Sequence, residues 1–159
     1  MNRIAIGLII VVGMLGCGGA QSKGGSARGD KSTSSKEEDC LAAAASHSEP
    51  KANAPDKIAV AHILVRHAEL ARPEGATRTR GQACLRALKA LGKLKDGAAW
   101  DEVVDTYSDA AGPNHGALGR VSKEDLDPSF AAVAFSLDVN EISYVVESFR
   151  GFHVIVRTE

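Results

Sequence analysis

The sequence predicts an α+β domain over residues 57–159, a small sheet with an antiparallel closing hairpin and helices segregated against it. Three observations carry this. Two runs rich in β-branched residues, Ile58–His67 and Phe152–Thr158, stand at the two ends of the region. Between them lie stretches whose apolar residues recur at helical spacing. Every Trp, Tyr and Phe lies after residue 99, so the core belongs to the C-terminal part.

The first strand reads I-A-V-A-H-I-L-V-R-H. Val60, His62 and Leu64 face one way, and Ala61, Ile63 and Val65 the other. A strand apolar on both faces is central and covered on both sides. His62 is the exception among its aliphatic neighbours. A polar loop, 68–78, leads to Thr79-Arg80-Gly81-Gln82, a capping box that starts a helix. Leu85, Leu88, Leu91 and Leu94 form its stripe, and Lys95-Asp96-Gly97 ends it. Trp100, Val103, Val104 and Tyr107 mark a second, shorter helix. The segment 108–119 is rich in turn residues and runs into a short strand, 117–121. Asp127-Pro128 is an N-cap with Pro at the first helical position, and Phe130, Val133, Ala134 and Leu137 follow at helical spacing. Ile142, Tyr144 and Val146 alternate as a strand over 141–147. Phe149-Arg150-Gly151 turns tightly into the last strand, where His153 is a second histidine among β-branched residues. The order is β-α-α-β-α-β-β.

The N-terminal part reads as targeting followed by tether. Arg3 precedes an apolar run of about twelve residues, 4–15, too short to span a bilayer and suited to a signal peptide. It ends in M-L-G-C, which resembles the lipobox of bacterial lipoproteins, with Met14 where Leu is usual. That resemblance implies a signal peptide over 1–16, lipid on Cys17 and anchorage to a membrane of the cell envelope. Gly18 after the cysteine favours the outer membrane, with the domain facing periplasm or exterior. Residues 17–56 lack aromatic and β-branched apolar residues and are expected to be a disordered tether spanning about 35 Å. Within it, Ser35-Lys36-Glu37-Glu38 before four alanines suggests a helix too short to stand alone.

Net charge is −1, and neither half is strongly basic, so no nucleic-acid partner is expected. Export would permit a disulfide between Cys40 and Cys84. With one cysteine in a tether and the other in a helix, they are read as unpaired thiols, Cys84 packing as a small apolar residue. No C-x-x-C pair supports redox chemistry, and Ser108-Asp109 lacks the setting of a hydrolase nucleophile.

A-H-I-L-V-R-H, T-R-T-R, Y-S-D, G-A-L-G-R-V, P-S-F-A-A-V-A-F-S-L, N-E-I-S and G-F-H-V-I-V-R-T-E occur in the order and spacing of parvulin-type peptidyl-prolyl isomerases, and residues 58–159 resemble that family. The resemblance implies a four-stranded antiparallel sheet surrounded by helices, with room for an extra short helix. It implies rotation about X-Pro bonds of exported, folding polypeptides, without metal or cofactor, by a chain read as a monomer. The uncatalysed barrier is roughly 18–20 kcal/mol, and the enzyme need only bind the twisted amide better than either planar form.

By the same resemblance, Leu126 and Phe130, with Leu118, form the proline pocket. Phe130 is alternatively plain core. His62 and His153 match the family's paired histidines, either catalytic or stiffening the cleft floor, and one ring can donate to the other. Ser148 matches a hydroxyl beside them, or is a solvent-facing strand residue. Arg66 and Arg72 match basic residues of phosphate-directed members, but Ala71 interrupts that cluster, so the favoured reading is that they are solvated loop residues along with Arg78 and Arg80. The family usually places Cys or Asp after the S-D pair, and in this chain Ala110 stands there. That departure predicts reduced activity, unless Asp109 turns inwards or His115 supplies the polarity. It leaves a tethered substrate-binding chaperone or foldase module as the alternative to an enzyme.

Overall fold

The structure, a computed structural model, describes residues 31–46 and 48–159. Residues 1–16, read above as a signal peptide, and Cys17 lie outside the described residues. The elements are α1 (Lys31–Ala44), β1 (Lys57–Val65), α2 (Arg80–Lys95), α3 (Trp100–Tyr107), β2 (Ala117–Ser122), a 3-10 turn (Lys123–Asp125), α4 (Pro128–Ala134), β3 (Val146–Ser148) and β4 (Gly151–Arg157). The 3-10 turn is the extra short helix for which the family resemblance leaves room.

The four strands form one antiparallel sheet in the order β2-β1-β4-β3. β1 and β4 are therefore central, which explains why both are apolar on two faces. Ile63 and Val65 of β1, with Phe152 and Val154 of β4, pack under α1, α2 and α3. Ile58, Val60 and Ile155 face the other way, against Phe130, Val133 and Phe135 of the α4 segment. Each fully buried aliphatic or aromatic side chain contributes about 2 kcal/mol. His62 and His153 lie on the α4 side, where among the described residues one short helix covers the face and a cleft remains beside it.

The caps form as the sequence dictates. Thr79 Oγ1 accepts from Gln82 N–H at 3.2 Å, while Gln82 Oε1 accepts from Thr79 N–H at 3.0 Å. Asp127 Oδ1 accepts from the amides of Ser129 and Phe130 at the start of α4. The buried stripe of α2 differs from the leucine reading. Ala83, Cys84, Ala87, Ala90 and Leu91 are its buried side chains, whereas Leu85, Leu88 and Leu94 pack at the margin. Small residues let α2 lie close between the sheet and one further helix.

That helix, α1, corrects the tether expected over 17–56. Its fourteen residues pack on α2, with Cys40 and Ala44 buried. The expectation of unpaired thiols is corrected with it: Cys40 and Cys84 form a disulfide across 44 residues. Alone, a helix of this length is marginal. A covalent link and an alanine-rich contact hold it where propensity would not. The ordered chain thus begins well before residue 57: Lys51 N–H also donates to the Phe135 carbonyl at 3.2 Å.

The strand expected over 141–147 is shorter and shifted. Ser143 N–H donates to Ile155 O at 2.8 Å, and Ser143 Oγ accepts from Ile155 N–H at 2.9 Å. The hydroxyl takes a place that a backbone carbonyl would hold in a regular ladder. Only an isolated bridge, Ile142 to Val156, precedes β3. Tyr144 consequently points to solvent, while Ser143 and Val145 are buried.

Candidate active site

β1 and β4 bring the two histidines together from 91 residues apart. His62 Nδ1 and His153 Nδ1 are 3.0 Å apart, and the rings lie nearly parallel with centroids 5.2 Å apart. Ser148 Oγ is 2.8 Å from His153 Nε2 and accepts the Arg150 N–H at 3.0 Å. The result is a chain, Ser148–His153–His62, in which one ring donates to the other and the hydroxyl fixes the far nitrogen. Phe130 stands edge-on to both rings, with centroids 5.6 Å from His62 and 5.1 Å from His153. Phe130 is 3% exposed, so it is both core and cleft wall.

Both histidines are held neutral. Burial, then the charges of Arg150 and Arg66, push His62 down to about 4. Burial first, then His62 and the same two arginines, push His153 well below its ordinary value. The cleft floor is therefore polar but uncharged at neutral pH.

Above this floor opens a cleft of about 540 Å³, walled by Leu118, Leu126 and Phe130 on the apolar side and by Arg66, Ser148 and Arg150 on the polar side. Leu118 is 41% exposed although it is a large aliphatic side chain, as a pocket wall awaiting an apolar ring would be. Leu126, just before the Asp127 cap, is half-buried: it packs against the α4 core and also lines the cleft.

Ala110 lines the same cleft. Its backbone is fixed: Ser108 Oγ accepts from both Leu64 N–H and Ala110 N–H, and Asp109 N–H donates to Leu64 O at 2.7 Å. Asp109 does not turn inwards. Its carboxylate accepts from Arg66 N–H and from Arg78, while its carbonyl accepts from the Arg66 guanidinium. His115 does not replace it either. That ring pairs with Asp105 of α3 at 3.2 Å, and the His115 carbonyl accepts the Trp100 indole N–H.

The arginines divide. Arg66 stands at the cleft rim but is already paired with Glu74 at 2.8 Å. Arg72 lies outside the cleft, in an adjoining groove of about 200 Å³ that it shares with Arg66, Glu74, Phe149 and Arg150. Arg78 and Arg80 are not simply solvated: Arg78 bonds the Asp109 carboxylate, and Arg80 makes a two-pronged pair with Glu147 of β3. Arg150, Asp125 and Phe149 also line the cleft. Sequence reasoning misses them, because Phe149-Arg150 reads as a turn alone and Ser122-x-x-Asp125, a capping box, marks the start of a helical turn and not a cleft.

Backbone packing ties the loop above the cleft to its floor. His62 N–H donates to Gly116 O at 2.9 Å. Gly116 has φ +76°, and a Cβ there would sit 2.1 Å from the His62 carbonyl oxygen. Only glycine fits. Gly151, at φ +130°, makes a similar approach to Val65.

An apolar slot beside a neutral imidazole pair, on a four-stranded antiparallel sheet, defines a prolyl isomerase domain. Residues 62–159 match the Rotamase family, the PPIC-type PPIase domain, and the chain belongs to this parvulin family of peptidyl-prolyl cis-trans isomerases. It is 35% identical over 112 residues to peptidyl-prolyl cis-trans isomerase pin1 of Schizosaccharomyces pombe, covering 66% of this chain and 63% of that protein. It is 36% identical over 75 residues to foldase protein PrsA of Halalkalibacterium halodurans, covering 46% of this chain and 22% of that protein. The solved structure of peptidyl-prolyl isomerase ESS1 from Candida albicans superposes with a TM-score of 0.61 at 29% identity, covering 65% of this chain and 63% of that one. The chain thus spans less than two thirds of each of these relatives.

Proposed function

We propose that the chain is an exported, membrane-tethered isomerase that speeds rotation about X-Pro bonds in polypeptides folding in the cell envelope. The observation that carries export is the Cys40–Cys84 disulfide, a link of the kind that persists in oxidising compartments. The signal-like residues 4–16 and Cys17 agree with it. The relative PrsA bears the name foldase, which fits a folding polypeptide as client. Lipid on Cys17 would hold the domain at a membrane. A palmitate-labelling and fractionation experiment tests this: wild type should be labelled and sediment with membranes, and Cys17→Ala should do neither. Unlabelled wild type recovered in the soluble fraction refutes the tether.

Catalysis follows from the cleft. Rotation breaks amide resonance, so the prolyl nitrogen becomes pyramidal and the planar ground state is lost. Leu118, Leu126 and Phe130 receive the ring and fix its orientation. His62 and His153, neutral and locked by Ser148, present a floor that does not solvate the planar amide as bulk water does. Ala110 removes the polar side chain that most family members set beside the amide, so a slower enzyme is expected. The second reading, a binding module with little catalysis, rests on Ala110 alone, and the family assignment favours the enzyme. Exchange between cis and trans forms of a short Ala-Pro peptide, measured by NMR, distinguishes them. Acceleration at micromolar protein supports the enzyme; peptide binding without acceleration supports the module.

A further inference from the structure

The cleft has two electrical ends. β1 runs from Lys57, paired with Ser122, to Val65, beside Gly151. At its start the 3-10 turn places Asp125 on the cleft wall. At its end the β3–β4 turn, whose Gly151 lies against Val65 and Arg66, brings Arg150 to the cleft as well. Nine strand residues separate the two ends, a span of about 25–30 Å along the backbone, and both side chains reach back towards the pocket between them.

Each of these two charges has bonding capacity left. Arg66 and Arg150 are the two arginines lining the cleft. Arg66 is consumed by Glu74 and the Asp109 carbonyl. Arg150, among the described residues, has no carboxylate partner; its guanidinium stacks 5.2 Å over the Phe149 ring, which is 67% exposed. It also borders the groove holding Arg72, where Glu74 is the lone carboxylate. Asp125 is exposed, and its Oδ2 accepts both bonds it receives, from Ser122 N–H and Oγ–H. Its other oxygen has no hydrogen-bond partner among the described residues. The Ser122 bonds hold the carboxyl below the usual range, so it is ionised at neutral pH.

We propose that Arg150 and Asp125 select proline segments of dipolar charge, with an acidic side chain on one flank of the proline and a basic one on the other. This rests on the isomerase reading above. A segment lying along β1 with its proline against Phe130 brings one flank to each end. Exposed pairs are individually weak, so the preference is a few-fold rather than absolute, and it is screened by salt.

The test uses the full chain and three peptides with a central proline, Ala-Ala-Ala-Pro-Ala-Ala-Ala, Glu-Ala-Ala-Pro-Ala-Ala-Lys and Lys-Ala-Ala-Pro-Ala-Ala-Glu, whose charges lie about 20 Å apart when extended. Both isomerisation rate and dissociation constant are measured, at low and at high salt. The expected result is that one charged peptide exceeds the neutral one about five-fold, that the reversed one falls below it, and that both differences shrink in high salt. Arg150→Glu should lower the ratio of the favoured to the reversed peptide, and Asp125→Lys should do the same independently. Charged peptides within two-fold of the neutral one, in rate and in affinity, overturn the proposal while leaving the isomerase reading intact. If no peptide is isomerised, the isomerase reading falls, and the affinities alone still decide whether the cleft discriminates by charge. Discrimination that survives in both variants belongs to other residues and refutes the roles of Arg150 and Asp125.

Discussion

Replacing Cys40 by Ala removes the disulfide cross-link between α1 and α2. The loop closed by the disulfide spans 44 residues. Chain-entropy arguments for a loop of that length give about 4 kcal/mol of stabilisation. That value is a ceiling. Once the link is gone, α1 can leave without the sheet unfolding, because its apolar contacts are few: Cys40 and Ala44, with Leu41 at the edge. The cost to the sheet is then the exposure of Ala83, Ala87 and neighbouring small residues of α2. For a unit of this size each kcal/mol moves the melting midpoint by roughly 3–5 °C, so the full effect is a drop of about 10–20 °C. Calorimetry of Cys40→Ala, and of wild type with and without reductant, measures it. Hydrogen exchange across 31–44 reports whether α1 detaches. Isomerase activity below the melting range should be unchanged, because the disulfide and the cleft lie on opposite faces of the sheet. A midpoint within about 2 °C of wild type, with α1 amides equally protected, would refute the argument that the link holds the helix.

Further outcomes follow from the cleft. Ala110→Asp should raise the isomerisation rate several-fold without a comparable change in peptide affinity; an unchanged rate would remove position 110 from the chemistry. Phe130→Ala should cost about 3–5 kcal/mol in urea unfolding, since the ring is core as well as wall, whereas half-buried Leu126→Ala should mainly raise KM. Acid should weaken the fold through His62, whose value near 4 lies below its unfolded 6.5. The neutral form is the one the fold favours, so this stability is complete above about pH 6.5 and is lost as pH falls towards 4. It amounts to at most about 3 kcal/mol. Urea midpoints at neutral pH and near the folded value check this, and His62→Phe should reduce the difference, leaving the part that His153 contributes in the same direction. Gly116→Ala should displace the loop over the floor, seen as shifted His62 ring resonances together with lower activity.

The elements most legible in the sequence were those governed by local rules. Thr79 and Asp127 announced their helices, and the aliphatic alternation of β1 and β4 announced central strands. His62, His153 and Ser148 became a site through family resemblance, because strand pairing brings together residues that spacing alone leaves apart. What the sequence concealed depends on the third dimension. Four alanines after Cys40 look like linker until α2 offers an alanine face to receive them. Tyr144 looks inward by alternation, yet the Ser143 hydroxyl replaces a ladder bond and reverses the pattern. Arg150 looks like turn filler, because its place on the cleft wall without a carboxylate partner among the described residues exists only once the strands have paired.

The pairing of β1 with β4 also has a meaning in time. His62 meets His153 only across a separation of 91 positions, and the two middle strands of the sheet are the ones most distant in the chain. Helices α2 and α3 can form from near neighbours, but the sheet has no centre until β4 arrives. Such long-range closure slows folding. During that interval the exposed face of β1 is an unpaired apolar edge, the kind of surface that isomerases and foldases meet in other chains. The domain therefore passes, on its own way to the native state, through a condition resembling that of the polypeptides on which it is proposed to act.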